Sequence, residues 1–364
     1  MHLLISATII VIVRPMRIKC RMTIHNLISL SVATVLIMTP MSLAACGAAV
    51  PTGALDQIQS QVPTDPGGQD SESDGGSGAG GDTEPAASAE PVKGARDNTP
   101  HVLVPQAGGE TAYSDAKVTL DITHASDGYF MIDYTGDNPK PKLQVTGPEA
   151  ITYTFDVHGG LETIPFTQGA GSYQVGVFEN ISDTKYAQVC AVTVQADISN
   201  EYSPYLYPNQ YVNFNEDSDV VALGEELAYT ADDDLTVVSN VYNYLIDNVV
   251  YDTDLATNVT SGYLPDPDET IATGKGICFD YAAVMASMLR SQQIPTRLEI
   301  GYAGDAYHAW ISTYIEDVGW VNGIVEFNGT DWELMDPTLA ASQGDKFLKS
   351  FIGDGNNYSK VYQY

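Results

Sequence analysis

The stretch GKGICFDYAAVMASMLR, residues 274–290, decides how the rest of the chain is read. Tyr281, Met285, Met288 and Leu289 recur at three- and four-residue steps, the period of a helix with an apolar face, and Pro295 halts that helix. Cys278 then lies in the first turn, where unpaired N–H groups and the positive end of the helix dipole favour a thiolate over a thiol. Gly274 and Gly276 allow a tight approach of the chain and leave room for a substrate. Taken alone, the residue also reads as a buried, inert cysteine at a helix start.

Two β segments downstream of this helix supply the other groups that cysteine chemistry needs. Residues 297–303 and 307–315 alternate like adjacent strands, which puts His308 on one face with Trp310, Ser312 and Tyr314. Asn328-Gly329 is a hairpin signal between residues 323–327 and 331–335. Asp336 ends the second of these strands, and Pro337 keeps it extended. Cys278 could attack, His308 shuttle the proton and Asp336 hold the imidazole tautomer.

In these motifs the chain resembles the transglutaminase-like superfamily. Its pattern of G-x-C-x-x-Y/F-A, then H-A-W, then W-x-x-x-D-P-T is matched by Gly276 to Ala282, His308-Ala309-Trp310 and Trp332 to Thr338. They come in order, with 30 residues from Cys278 to His308 and 28 from His308 to Asp336. Ile294-Pro295-Thr296-Arg297 matches the linking G-I-P-a-R except that Gln293 stands in place of glycine. The likeness covers roughly residues 230–340. It implies an α+β, papain-like transglutaminase core, with Cys278 as nucleophile, His308 as general acid and base, and Asp336 as the orienting acid. Relatives often donate an oxyanion hydrogen bond from a Gln or Trp upstream of the cysteine, and none lies between Tyr211 and Ile277. Tyr251 is the candidate substitute, with a core tyrosine as its other reading. The backbone N–H of Cys278 serves as one donor in either case.

Outward from this region the chain divides into four parts. Residues 1–46 read as an export signal, with Arg17, Lys19 and Arg21 before an apolar run at 27–40. Leu43-Ala44-Ala45-Cys46 resembles a bacterial lipobox, which would make Cys46 the lipidated N-terminus; an ordinary signal-peptide cut beside a cysteine is the alternative. The earlier apolar run at 2–13 is too short to span a bilayer, which needs about 20 residues. Residues 47–109, rich in Gly, Ala, Pro, Ser and acids, are expected to be a disordered tether. Residues 110–199 alternate in about seven short segments, which predicts an all-β, immunoglobulin-like sandwich. Residues 200–364 form the transglutaminase-like domain, and the two folded parts are expected to have cores of their own.

Within the sandwich, Val118, Leu120 and Ile122, and likewise Tyr173, Val175 and Val177, share a strand face; core packing is the first reading of the second set and a ligand surface the other. Cys190, among valines, reads as a packing residue. Both Cys190 and Cys278 are expected to be free, because a bridge between them would consume the catalytic thiol. Asp232, Asp233 and Asp234 precede a helical pattern and read as an N-cap and first turn rather than a calcium loop, whose ligands are spaced.

Charge narrows the partners. The chain carries 47 acidic and 16 basic residues, a net charge of −31, and loss of the leader with its four cations takes this to −35. Nucleic acid is therefore a poor partner, and an extracellular setting suits the surface. No metal-ligand spacing or cofactor motif occurs, so neither is expected. The function expected is that of a lipid-anchored enzyme on the extracellular face of a bacterial membrane. It would cut or transfer protein or peptide amides through a thioester, with hydrolysis favoured over amine cross-linking. The alternative is a non-catalytic surface protein that uses both domains for protein or cell-wall contacts.

Overall fold

Local capping and alternation account for most of the elements. The computed structural model describes residues 91–304, 306–322 and 358–364, with the backbones of three further strands at 35–37, 324–327 and 332–335. Cys46 and Asp336 lie outside the described residues, as do residues 1–34 and 38–90. Among the described residues no helix is long and apolar enough to cross a membrane.

A short strand, β1 (Val35–Ile37), precedes β2 (Thr111–Ser114), β3 (Val118–Asp121), β4 (Tyr129–Tyr134), β5 (Lys142–Thr146), β6 (Thr152–Asp156), β7 (Gly160–Pro165), β8 (Gly171–Ser182) and β9 (Lys185–Ala196). They build two antiparallel sheets, ordered β2-β3-β4-β7 and β1-β9-β8-β5-β6. Val118 and Leu120 are buried, and so are Tyr173, Val175 and Val177, so packing is the role the alternation assigns them. Cys190 is free and buried, and burial pushes its thiol up.

The second region begins with α1 (Asp219–Ala228) and α2 (Asp234–Asn248), then β10 (Val250–Tyr251), α3 (Thr253–Asn258), α4 (Pro267–Thr273), β11 (Lys275–Gly276) and α5 (Cys278–Ser291). Aspartates cap three of the helices. Asp233, Asp252 and Asp266 accept from the backbone N–H of Thr236, Leu255 and Glu269. The strands β12 (Thr296–Ala303), β13 (Ala306–Ile315), β14 (Gly319–Asn322), β15 (Ile324–Phe327), β16 (Trp332–Met335) and β17 (Tyr358–Gln363) complete it. Antiparallel pairing gives the order β14-β13-β12-β17, and β15 pairs with β16 as the hairpin signal predicts, Phe327 opposite Trp332.

All fourteen residues of α5 are buried. The helix runs through the middle of the domain, against α1, α2 and α4 on one side and β12 and β13 on the other, rather than along its surface. Arg290 shows how that is tolerated. Its guanidinium donates to the carbonyls of Thr296 (2.9 Å), Tyr207 (2.7 Å) and Tyr364 (2.7 Å), so a buried cation bonds three separate chain segments. Burial pushes it down to about 9, which leaves it charged at neutral pH.

Two expectations are corrected. The composition of residues 91–109 predicts a tether, yet Arg96 bonds Asp234 (2.6 Å) and the carbonyl of Gln292 (2.5 Å), and His101 N–H donates to the carbonyl of Ser291. Ala95 N–H is held by Asp232, and Gly109 N–H by Asp121. This strap supplies donors to the carbonyl end of α5, where a cation is favoured, and composition alone cannot register such pairing. The acidic triplet is thereby accounted for, and among the described residues no group of side chains is arranged to hold a metal.

The second correction concerns the cores. The described residues from 35 onward belong to one compact unit, and a single buried cluster runs from Leu120 and Phe155 of the β region to Leu245 and Leu289. Tyr211 joins them, lying 5.9 Å from Phe155 and 5.8 Å from Phe279 between ring centres. Aromatic residues in the linking segment pack on both sides, which strand counting does not foresee.

After α5 the chain reverses at Gln293, whose φ of 62° is left-handed. This is the position at which the family pattern carries glycine, and a side chain there costs about 1–2 kcal/mol. Gln293→Gly should therefore raise the unfolding free energy by about 0.5–1 kcal/mol after the entropy of the freer unfolded chain is subtracted. An unchanged or lower urea midpoint would contradict this.

Candidate active site

Cys278 opens α5 with Ile277 as its N-cap, in extended backbone (φ −98°, ψ 177°). β10 and β11 pair in parallel just before it, and Gly274, at φ 63°, closes α4 and aims the chain into β11. Asp280, two residues after Cys278, accepts from Ile277 N–H (2.8 Å) and from the Tyr263 hydroxyl (2.7 Å). The carboxylate thus fixes the helix start and ties to it the loop that carries Tyr263.

Burial holds the Asp280 carboxyl above the ordinary range, although both hydrogen bonds oppose the shift. The folded state therefore keeps a proton that the unfolded chain loses first. This group's contribution to stability is fully present below the ordinary aspartate value and falls as pH rises through the shifted one. Asp280→Asn should flatten that part of the stability–pH curve, as measured by urea unfolding at closely spaced pH. An unaltered slope would show that Asp280 is not its source.

His308 lies on β13 opposite Gly301 of β12, and is 7% exposed. Trp310 pairs with Glu299 and Ser312 with Arg297, so the expected face holding His308, Trp310 and Ser312 is present. Trp310 stacks near the imidazole at 6.1 Å between centres, and Tyr358 of β17 flanks both rings. The buried Glu299 accepts from Trp310 Nε1 and Ser312 Oγ, both at 2.8 Å, with Lys360 Nζ 3.3 Å away. Close approach of β17 needs Gly301, because a Cβ there would lie 2.1 Å from the carbonyl oxygen of Ser359.

These elements meet at one pocket of about 340 Å³, open on one side. Ile277 and Phe279, on either side of Cys278, line it together with Tyr307 and His308. Val259 and Tyr263 form its outer wall, and the paired Ile300 and Ala309 lie beneath. Cys278 itself is 1% exposed, in the first turn of α5. Of the two cysteines expected to be free, Cys190 is free and buried.

Tyr251 stands opposite Gly276 in the neighbouring strand, half-buried against the core. Sequence reasoning misses Glu299, Tyr263 and Tyr358. Glu299 carries a signal, a lone charge between Leu298 and Ile300, but its meaning depends on the register with Trp310.

Residues 221–323, which span α1 to β14, match the model of the transglutaminase-like superfamily. The chain carries a transglutaminase-like domain. Members of this superfamily usually work by cysteine-based catalysis, as proteases or transglutaminases. The UPF0252 protein MJ1282 of Methanocaldococcus jannaschii is 27% identical to the chain over 101 residues, covering 24% of this chain and 29% of that protein. Among solved structures, the periplasmic domain of TgpA from Pseudomonas aeruginosa overlaps with a TM-score of 0.29 at 15% identity, over 59% of this chain and 90% of that one. Red sea bream transglutaminase overlaps with a TM-score of 0.27 at 14% identity, over 60% and 49% of the two chains. Such loose overlaps extend nothing beyond the matched transglutaminase-like domain, whose mixed helices and strands hold Cys278 and His308 on separate elements.

Proposed function

We propose that this is a cysteine-dependent amide hydrolase or acyltransferase, tethered by a lipid on Cys46 to the extracellular face of a bacterial membrane. The carrying observation is that both neighbours of Cys278 share a pocket with His308. In its reduced form the Cys278 thiolate attacks an amide carbonyl, and the backbone N–H of Cys278, with Tyr251 as the second candidate donor, faces the resulting oxyanion. His308 gives its proton to the departing amine, leaving a thioester. Water then enters with His308 as base, releasing the carboxylic acid and the thiol; a second amine in place of water would give a cross-link. Asp336 is assigned to hold the imidazole. Hydrolysis is favoured because water is abundant at a tethered surface enzyme. Two antiparallel sheets in residues 110–199 support the immunoglobulin-like sandwich in the same reading.

The near-complete burial of Cys278 favours a second reading, a non-catalytic scaffold in which that sulfur only packs. Mass spectrometry of the mature protein, reduced and then briefly treated with iodoacetamide, separates the two. Catalysis expects alkylation of Cys278 well below the unperturbed thiol value of about 8.5, lost in His308→Ala. The same spectra should show an acylated Cys46 at the N-terminus. Labelling only at alkaline pH would favour the scaffold, and a chain beginning upstream of Cys46 would remove the lipid anchor.

A further inference from the structure

The geometry points to a specificity site: the pocket beside His308 receives one aliphatic side chain, of valine or leucine size, from the peptide whose amide Cys278 attacks. This rests on the proposed amide chemistry and adds the kind of residue that it selects.

Three observations carry it. First, among the described residues no Asp, Glu, Lys or Arg lines the pocket, in a chain with a net charge of −31. The nearby carboxylate, Asp280, is turned to Ile277 N–H and the Tyr263 hydroxyl. Tyr263 spends its hydroxyl there, so its ring is left as an apolar wall. A charged side chain entering the pocket would lose its hydration, and beyond His308, which the chemistry occupies, the described lining offers it no charged partner.

Second, the space of about 340 Å³ counts the open mouth as well, so the enclosed part is small. It suits one side chain rather than a cofactor. Its place is also fixed, because Ile277 and Phe279 belong to the turn that presents Cys278, and the pocket therefore reads a residue next to the reacting carbonyl.

Third, the walls are braced from the β region. Phe279 packs on Tyr211 and Tyr263, and Tyr211 packs on Tyr364 (4.2 Å between centres) and Phe155 of β6. Gly262, in the Tyr263 loop with φ 87°, lies so close to β6 that a Cβ would be 3.3 Å from Asp156 Oδ2. A pocket held open in this way spends little of its binding energy on ordering itself.

The test uses blocked tripeptide amides that differ only in a central Leu, Gly or Asp. Binding to the full-length Cys278→Ala protein is followed by NMR titration, and turnover is followed with the reduced wild type. The Leu peptide should bind at least about 10-fold tighter than the Gly peptide and tighter still than the Asp peptide. Val259→Asp, on the half-buried outer wall, should abolish the preference for Leu, with its melting temperature confirming that it folds. Equal binding of the Leu and Gly peptides would overturn the specificity site, even if turnover were seen. A Leu preference in binding with no turnover of any peptide by the reduced wild type would leave the site standing and refute the amide chemistry instead.

Discussion

Cys278→Ala and His308→Ala should each lower turnover of a peptide amide by at least about 10³-fold, and the double variant should be no worse than either alone. The reason is that the two side chains act as one unit. Without the imidazole, the thiol is less ionised and the leaving amine has no proton donor; without the sulfur, the imidazole has nothing to activate. Asp336→Asn should be milder, since an amide still orients the ring and loses only the charge that stabilises the imidazolium. The assay is run under reducing conditions, so that Cys278 is present as the thiol. Melting curves must show each variant folded. Turnover that survives in Cys278→Ala would refute the nucleophile. Undiminished turnover in His308→Ala would refute the proton shuttle.

Arg290→Met should be the most damaging single change to stability. It leaves the carbonyls of Thr296 and Tyr364 without their donor in the buried interior, and that of Tyr207 without it where the chain is partly buried. Unmet buried groups cost about 1–3 kcal/mol each, and partial relaxation of three of them still leaves a loss of at least about 3 kcal/mol. For a unit of this size that is a fall of about 6–12 °C in melting temperature. Arg290→Lys should recover little, because one ammonium cannot reach three carbonyls on three segments as the planar guanidinium does. A loss under about 1 kcal/mol in both variants would mean that the carbonyls find other donors. The position lies on the helix that Cys278 opens, so activity is compared only at temperatures where the variants are folded.

Features that depend on near neighbours were legible in the residues alone. Periodicity of three to four residues marked α5 and α2, alternation marked β12 and β13, and aspartates marked the helix starts, because these signals act within a turn or a strand. The alternation also put His308, Trp310 and Ser312 on one face, which any antiparallel register preserves. Only the tertiary structure decided what those faces meet. Glu299 acquires its role from pairing with Trp310, Tyr358 from a strand some fifty residues beyond His308, and Arg290 from carbonyls 83 and 74 residues away. Composition placed residues 91–109 in a tether, whereas Arg96 and His101 bond the end of α5 across long stretches of chain. The physical reason is the same in each case. Local periodicity sets which residues are apolar and where elements begin, while long-range partners are chosen by the loops that close and by whether each buried polar group finds a match.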